Sequence, residues 1–211
     1  MTDIVSRARA EIAKQAGRNR FVDLLEAGAV PEERLRWLAG ELYRLVGSDQ
    51  RSQALLASRF PAAADLFLTL AQGEAEALRL LDDFAAAVGL HSPDSYEPLP
   101  LAQAYPAYLT QIAVYGPSSA MALALLANVD ESGGTYARVA AALQANYGLS
   151  ETAVGHFLFF ASTPQELLDQ ASEVLAAGLA AGEDADEAVR SARIVSALET
   201  AFWDALAEGL A

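Results

Sequence analysis

Apolar positions along the chain recur at intervals of three and four, and no sustained apolar–polar alternation appears. That period predicts helices throughout. Residues 3–26 predict a first helix, with Gly17 as a candidate break and Gly28 closing it. Pro31, Glu32 and Glu33 mark the next start, because proline and acids suit a helix N-terminus. This second helix runs to about Val46 with Leu38, Leu42 and Leu45 inward, and Ser48 or Asp49 caps a short continuation through Ala57. Arg59 to Pro61 turns the chain. Residues 62–88 predict a long helix ended by Gly89, followed by a loop from Leu90 to Pro100 with three prolines. Residues 101–115 are helical again. Gly116–Pro117 breaks that helix, since proline has no N–H and clashes with the preceding turn. Ser118 and Ser119 cap a restart that runs to Leu126, and Asn128–Gly134 reads as a polar turn. Helices follow near 135–147, 150–161, 164–181 and 184–209. The economical architecture is one all-α domain over residues 1–211.

Against this pattern a few side chains are out of place. Ile194, Leu198, Phe202, Ala205 and Leu206 form the apolar face of the last helix, and Glu199 falls inside it beside Val195, Phe202 and Leu206. A carboxylate on such a face is costly unless it is protonated, paired or hydrogen-bonded, so Glu199 points to a polar pocket inside the bundle. Trp203 and Leu210 fall towards the polar side. Glu41 and Glu74 lie on the apolar faces of two earlier helices. Each either projects inward, reaches water from the edge of its stripe, or pairs with an arginine such as Arg44 or Arg79. Tyr105, Tyr108 and Ile112 share a face; their hydroxyls either sit satisfied at the rim of the core or meet a ligand. His156, alone in an apolar run, reads as a core histidine.

Inward carboxylates from several helices are also how di-iron carboxylate proteins build their centres. Those centres add histidines, and this chain has two histidines and no Glu-x-x-His. No metal site and no cofactor is expected, and no Walker, Gly-x-Gly-x-x-Gly or Gly-x-Ser-x-Gly motif occurs. Zero cysteines exclude disulfides, thiolate metal sites and a cysteine nucleophile. The net charge of −14 is uneven: residues 1–59 carry ten Lys or Arg against eight Asp or Glu, and the remainder four against twenty. With no clustered cations, nucleic-acid binding is not expected. No apolar run of membrane-spanning length occurs, and residues 1–7 lack a signal-peptide pattern. A cytoplasmic protein with no membrane partner is the expectation.

The segment 198–204, Leu-Glu-Thr-Ala-Phe-Trp-Asp, is similar to the Glu-x-x-Phe-Trp-Asp ending of TenA proteins. Ala104 to Tyr108, the break at Gly116 and the run Ala122 to Leu126 resemble TenA's tyrosine helix and its Ala-Ala-Leu-Leu-Pro-Cys stretch. Weaker pieces are Trp37 to Leu45 and Leu81 to Leu90. Over about residues 20–210 the chain resembles the TenA/THI-4/PqqC branch of the haem-oxygenase-like helical superfamily. The resemblance implies a haem-oxygenase-like bundle, a small-molecule pocket and a homo-oligomer. TenA proteins are thiaminase II enzymes that hydrolyse thiamin or an aminopyrimidine derived from it. On that resemblance Glu199 takes the place of the TenA glutamate and would be the general acid/base, Tyr105 that of a pocket tyrosine, and Glu41 that of the aspartate on an early helix. The nucleophilic cysteine falls on Asn128, and a second pocket tyrosine on Phe160. An amide cannot replace a thiolate as nucleophile, so any C–N hydrolysis must be cysteine-independent. The iron-dependent cousins would need histidines where Thr163 and Gln170 stand and an aspartate where Leu167 stands. The implied ligand is a small amine-bearing or aromatic molecule held by Glu199, Tyr105, Tyr108 and Glu41, with Phe160, Asn128 and Glu74 around it. The alternatives are a non-catalytic helical partner with a vestigial pocket, or a carboxylate-rich metal-dependent oxidase.

Overall fold

The computed structural model describes residues 2–15, 17–93 and 96–210, and among them there is no β-strand. The helices are α1 (Thr2–Ala13), α2 (Arg20–Glu26), α3 (Glu32–Arg59), α4 (Ala64–Ala87), α5 (Ala104–Tyr115), α6 (Ser118–Tyr147), α7 (Gly155–Phe160), α8 (Gln165–Ala180) and α9 (Ala185–Ala207). A 3-10 turn, Pro61–Ala63, joins α3 to α4. Among the described residues no helix is long and apolar enough to cross a membrane.

α6 is the axis of the bundle. It packs against α1, α2, α5, α7, α8 and α9, and its first half is buried on every side, from Ser118 to Ala124. A helix that is apolar all round belongs inside, and the small side chains Ala120, Ala122 and Ala124 let neighbours approach it closely. α3 and α4 pair with each other and close one side, with α5 seated on α3. The buried apolar residues form one cluster running from Ala8 in α1 to Ala207 in α9.

The helix ends are tied by side chains from elsewhere. The Asn19 side-chain Oδ1 accepts from the Val22 N–H at 3.2 Å and opens α2. Asp184 does the same for α9 through Asp186 N–H at 2.8 Å. The start of α6 is capped across the fold: Glu183 accepts from the Ser119 N–H at 2.8 Å, the Ser118 N–H at 3.2 Å and the Ser118 hydroxyl at 3.0 Å. Its anionic oxygens satisfy N–H groups that would otherwise lack a partner. The end of α5 is capped by Arg59, which donates to the Ala113 carbonyl at 2.6 Å.

Several expectations are corrected. The first helical stretch divides near Gly17, the candidate break, into α1 and α2. Ser48 and Asp49 do not interrupt α3, which runs through them for 28 residues. The Asn128–Gly134 segment is not a turn but the middle of α6. A Cβ on Gly133 would stand 3.1 Å from the Ala161 carbonyl oxygen, so that glycine serves close backbone packing inside a helix. Packing overrides turn-forming residue types in both places. α6 is opened by Glu183 rather than by Ser118 or Ser119 side chains. Trp203 is buried, stacked on Phe21 of α2 with ring centroids 6.1 Å apart. The 90–100 loop is present as a connection, though Asp94 and Ser95 lie outside the described residues.

Candidate functional site

A cavity of about 150 Å³ lies where α3, α4, α5, α6 and α9 meet the end of α7. Each long helix contributes residues one turn apart: Asp49 and Gln53 from α3, Leu70 and Glu74 from α4, Tyr105 and Leu109 from α5, and Val195 and Glu199 from α9. α6 supplies more than three turns, from Met121 through Leu125, Asn128, Val129 and Ser132 to Gly133, and Phe160 and Thr163 close the end. Side chains four apart share one helix face, so five helices each turn one face to the same space.

Glu199, Glu74, Asn128, Tyr105 and Phe160, which the sequence brought forward, all line this cavity. Tyr108 and Glu41 do not. The Tyr108 hydroxyl faces the Ser191 hydroxyl at 3.5 Å. Glu41 is fully buried in a bracket of its own. It accepts from the Tyr96 hydroxyl at 2.8 Å, from the Leu99 N–H at 2.5 Å and from the Gln103 amide. A Cβ on Gly40 would run into the Tyr96 ring, so the glycine lets Tyr96 pack closely on α3. Burial raises the pKa of Glu41 above the usual carboxylate value, and the hydrogen bonds from Leu99, Tyr96 and Gln103 pull against that rise.

The early-helix acid of the cavity is Asp49, two turns beyond Glu41, and sequence reasoning missed it by reading a cap. The available signal was the i, i+4 pair Asp49–Gln53 following the Glu41 stripe on the same helix. Tyr136 was also missed as part of the setting. It lies buried against Phe160 and Trp203, with ring centroids 5.1 and 5.9 Å away.

The wall has two acidic poles. At one, burial pushes Asp49 up to about 7, and burial together with the charge of Asp49 pushes Glu74 well above the usual carboxylate range. Each charge disfavours the other, so both burial and repulsion favour keeping a proton on the pair. The buried Oδ1 of Asp49 and Oε1 of Gln53 have no hydrogen-bond partner, and Gln53 is only 6 % exposed. At the other pole, burial raises Glu199 to about 7, opposed by the hydrogen bond from Ser132 and assisted by the charge of Glu131. The Ser132 hydroxyl donates to Glu199 Oε1 at 2.8 Å. Tyr105 and Tyr136 feel all three acids after burial itself, and both phenols stay protonated. Behind Glu199 a polar crevice of about 30 Å³, lined by Glu131, Thr135, Ser196 and Thr200 among others, has room for about one water.

Asn128 is committed to the scaffold. Its amide N–H groups go to the Ala124 carbonyl at 2.8 Å and the Ala192 carbonyl at 3.3 Å, clipping α6 to α9. Because both partners are carbonyls, the nitrogen must face them. His156 is fully buried and outside the wall. Its Nδ1–H donates to the Ala77 carbonyl at 2.9 Å, and burial lowers it to about 4, so it is neutral. Among the described residues no three His, Cys, Asp or Glu side chains are grouped so as to hold a metal ion.

A family model, TENA/THI-4/PQQC, matches residues 7–209. The chain belongs to the TENA/THI-4/PQQC family. Two solved structures share its architecture. One is a domain of unknown function with a heme oxygenase-like fold from Shewanella denitrificans OS217, at TM-score 0.69 and 16 % identity over 97 % of this chain and 89 % of that one. The other is a TenA homologue from Pyrococcus furiosus, at TM-score 0.65 and 19 % identity over 97 % and 98 %. At such identities the likeness is one of fold, and the TENA/THI-4/PQQC chain described here therefore has the heme oxygenase-like bundle. No curated protein sequence matches it.

Proposed function

We propose that this cavity binds one small amine-bearing ring and that the protein hydrolyses a C–N bond of a single-ring, thiamin-derived aminopyrimidine without a cysteine. The observation that carries this reading is the polarity of the wall. Three carboxyls, the unpartnered Gln53 Oε1 and the Asn128 carbonyl are acceptors, and no Lys, Arg or His lines the space. Such a wall matches a ligand rich in N–H donors or positive charge, and the flanking Tyr105 and Phe160 suit a flat or cationic one. Size narrows the choice. An apolar cavity of about 150 Å³ holds a single benzene ring, so an aminopyrimidine fits and a whole two-ring thiamin does not. Glu199, half ionised near neutral pH, can take and return a proton.

Titration calorimetry with 4-aminopyrimidine and with thiamin tests the reading. 4-Aminopyrimidine should bind more tightly than thiamin, and Glu199→Gln should weaken it by at least about tenfold, the loss of one charge-assisted hydrogen bond. Unchanged affinity would remove Glu199 from the site. No heat with either compound would remove the amine-binding reading.

A further inference from the structure

We propose that Ser132 is the nucleophile of this site, with Glu199 as its base. The proposal rests on the amine-binding reading above. Ser132 stands on α6 one turn beyond Asn128, on the wall of the cavity. Its hydroxyl already points its proton at Glu199 Oε1 from 2.8 Å, within the reach that a nucleophile–base pair needs. Asn128 cannot do this work, because its amide is spent on two backbone carbonyls. The groups facing Glu199 are Glu131 and Tyr136 from α6 and Tyr105 from α5. None is a cation, so nothing on the wall ties up the carboxylate as an ion pair.

The steps balance without an oxidant or cofactor. Ser132 Oγ gives its proton to Glu199 and bonds to the ligand carbon that carries the amine. The C–N bond breaks, and the departing nitrogen takes the proton from Glu199. Water then attacks the same carbon and loses its proton to Glu199. The Oγ–C bond breaks, and Ser132 recovers the proton. The sum is an amine and water converted to an alcohol or hydroxy-ring and a freed amine. The carboxyl pair Asp49–Glu74, at the other pole, can lend its proton to a ring nitrogen while charge builds there.

Methanesulfonyl fluoride, small enough for the cavity, reads the nucleophile directly by peptide mass mapping. Ser132 should be sulfonylated faster than the other serines, and the rate should rise as pH climbs through about 7, where Glu199 ionises. Glu199→Gln should slow that labelling at least about tenfold, and Ser132→Ala should abolish it. Circular dichroism of each variant checks that the helices are kept. Ser132 left unlabelled, or labelled equally fast in Glu199→Gln, overturns the proposal. 4-Aminopyrimidine should protect Ser132; labelling as expected but without protection keeps the nucleophile and removes the amine ligand.

Discussion

Glu41 and Asp49 sit on the same helix, two turns apart, and both carboxyls are drawn into the fold. Glu41 is surrounded by donors from its own chain: a phenol, a backbone N–H and an amide. Asp49 has a buried oxygen with no donor at all and a second acid, Glu74, for a neighbour. A buried carboxyl fully satisfied by the protein is architecture; here it pins the 96–103 segment to α3. One left unsatisfied beside a cavity contributes nothing to that pinning, and an unpartnered buried polar group is costly. Hydrophobic patterning alone treats the two alike.

The largest test of this contrast is Glu41→Ala. It leaves three donors unmet, and chemical denaturation should show a loss of about 3 kcal/mol. A loss below about 1 kcal/mol would mean that the bracket is not holding the segment. Gly40→Ala attacks the same bracket by steric means. The added methyl meets the Tyr96 ring, and the cost should be about 1–3 kcal/mol in the same measurement.

Asp49→Asn should act in the opposite direction. The folded-state pKa of Asp49 is raised, so the folded chain holds its proton where the unfolded chain has lost it. Its contribution to stability is therefore fully present below the unfolded value, near 4, and declines as pH rises through about 7. Removing the charge should raise Tm at pH 8 by about 2–4 °C, and flatten its fall between pH 4 and 8. A lowered Tm at pH 8 would show that Asp49 is satisfied after all. The smallest effect is expected from Tyr108→Phe. Its one hydroxyl contact is long, at 3.5 Å, and the change should stay within about 0.5 kcal/mol in stability and leave 4-aminopyrimidine binding intact.

Much of the bundle was readable from period and punctuation. Gly28, Gly89 and Gly148 all close helices with φ of 65°, 75° and 67°, the left-handed conformation that favours glycine. The errors share a cause. Ser48–Asp49 and Asn128–Gly134 have the residue types of turns, yet both lie mid-helix, because α3 and α6 are each held by neighbours along their length. Asp49 and Ser132 were thereby read as cap and turn, although they are wall residues. Trp203 fell on the polar side of a helical wheel because a wheel shows one partner face, and α9 has a second partner in α2.

The chain alone decided that it would be helical, where its helices would stop for glycine and proline, and that Glu199 would face inward. Those are short-range matters of backbone freedom and of one helix's apolar stripe. Which acids would meet one another was decided only when α3, α4, α6 and α9 closed around the same space. Residues up to 150 positions apart, such as Asp49 and Glu199, share a cavity through helix crossing and close packing, and no local pattern encodes that meeting. The same assembly gave Glu41 its three donors and left Asp49 without one.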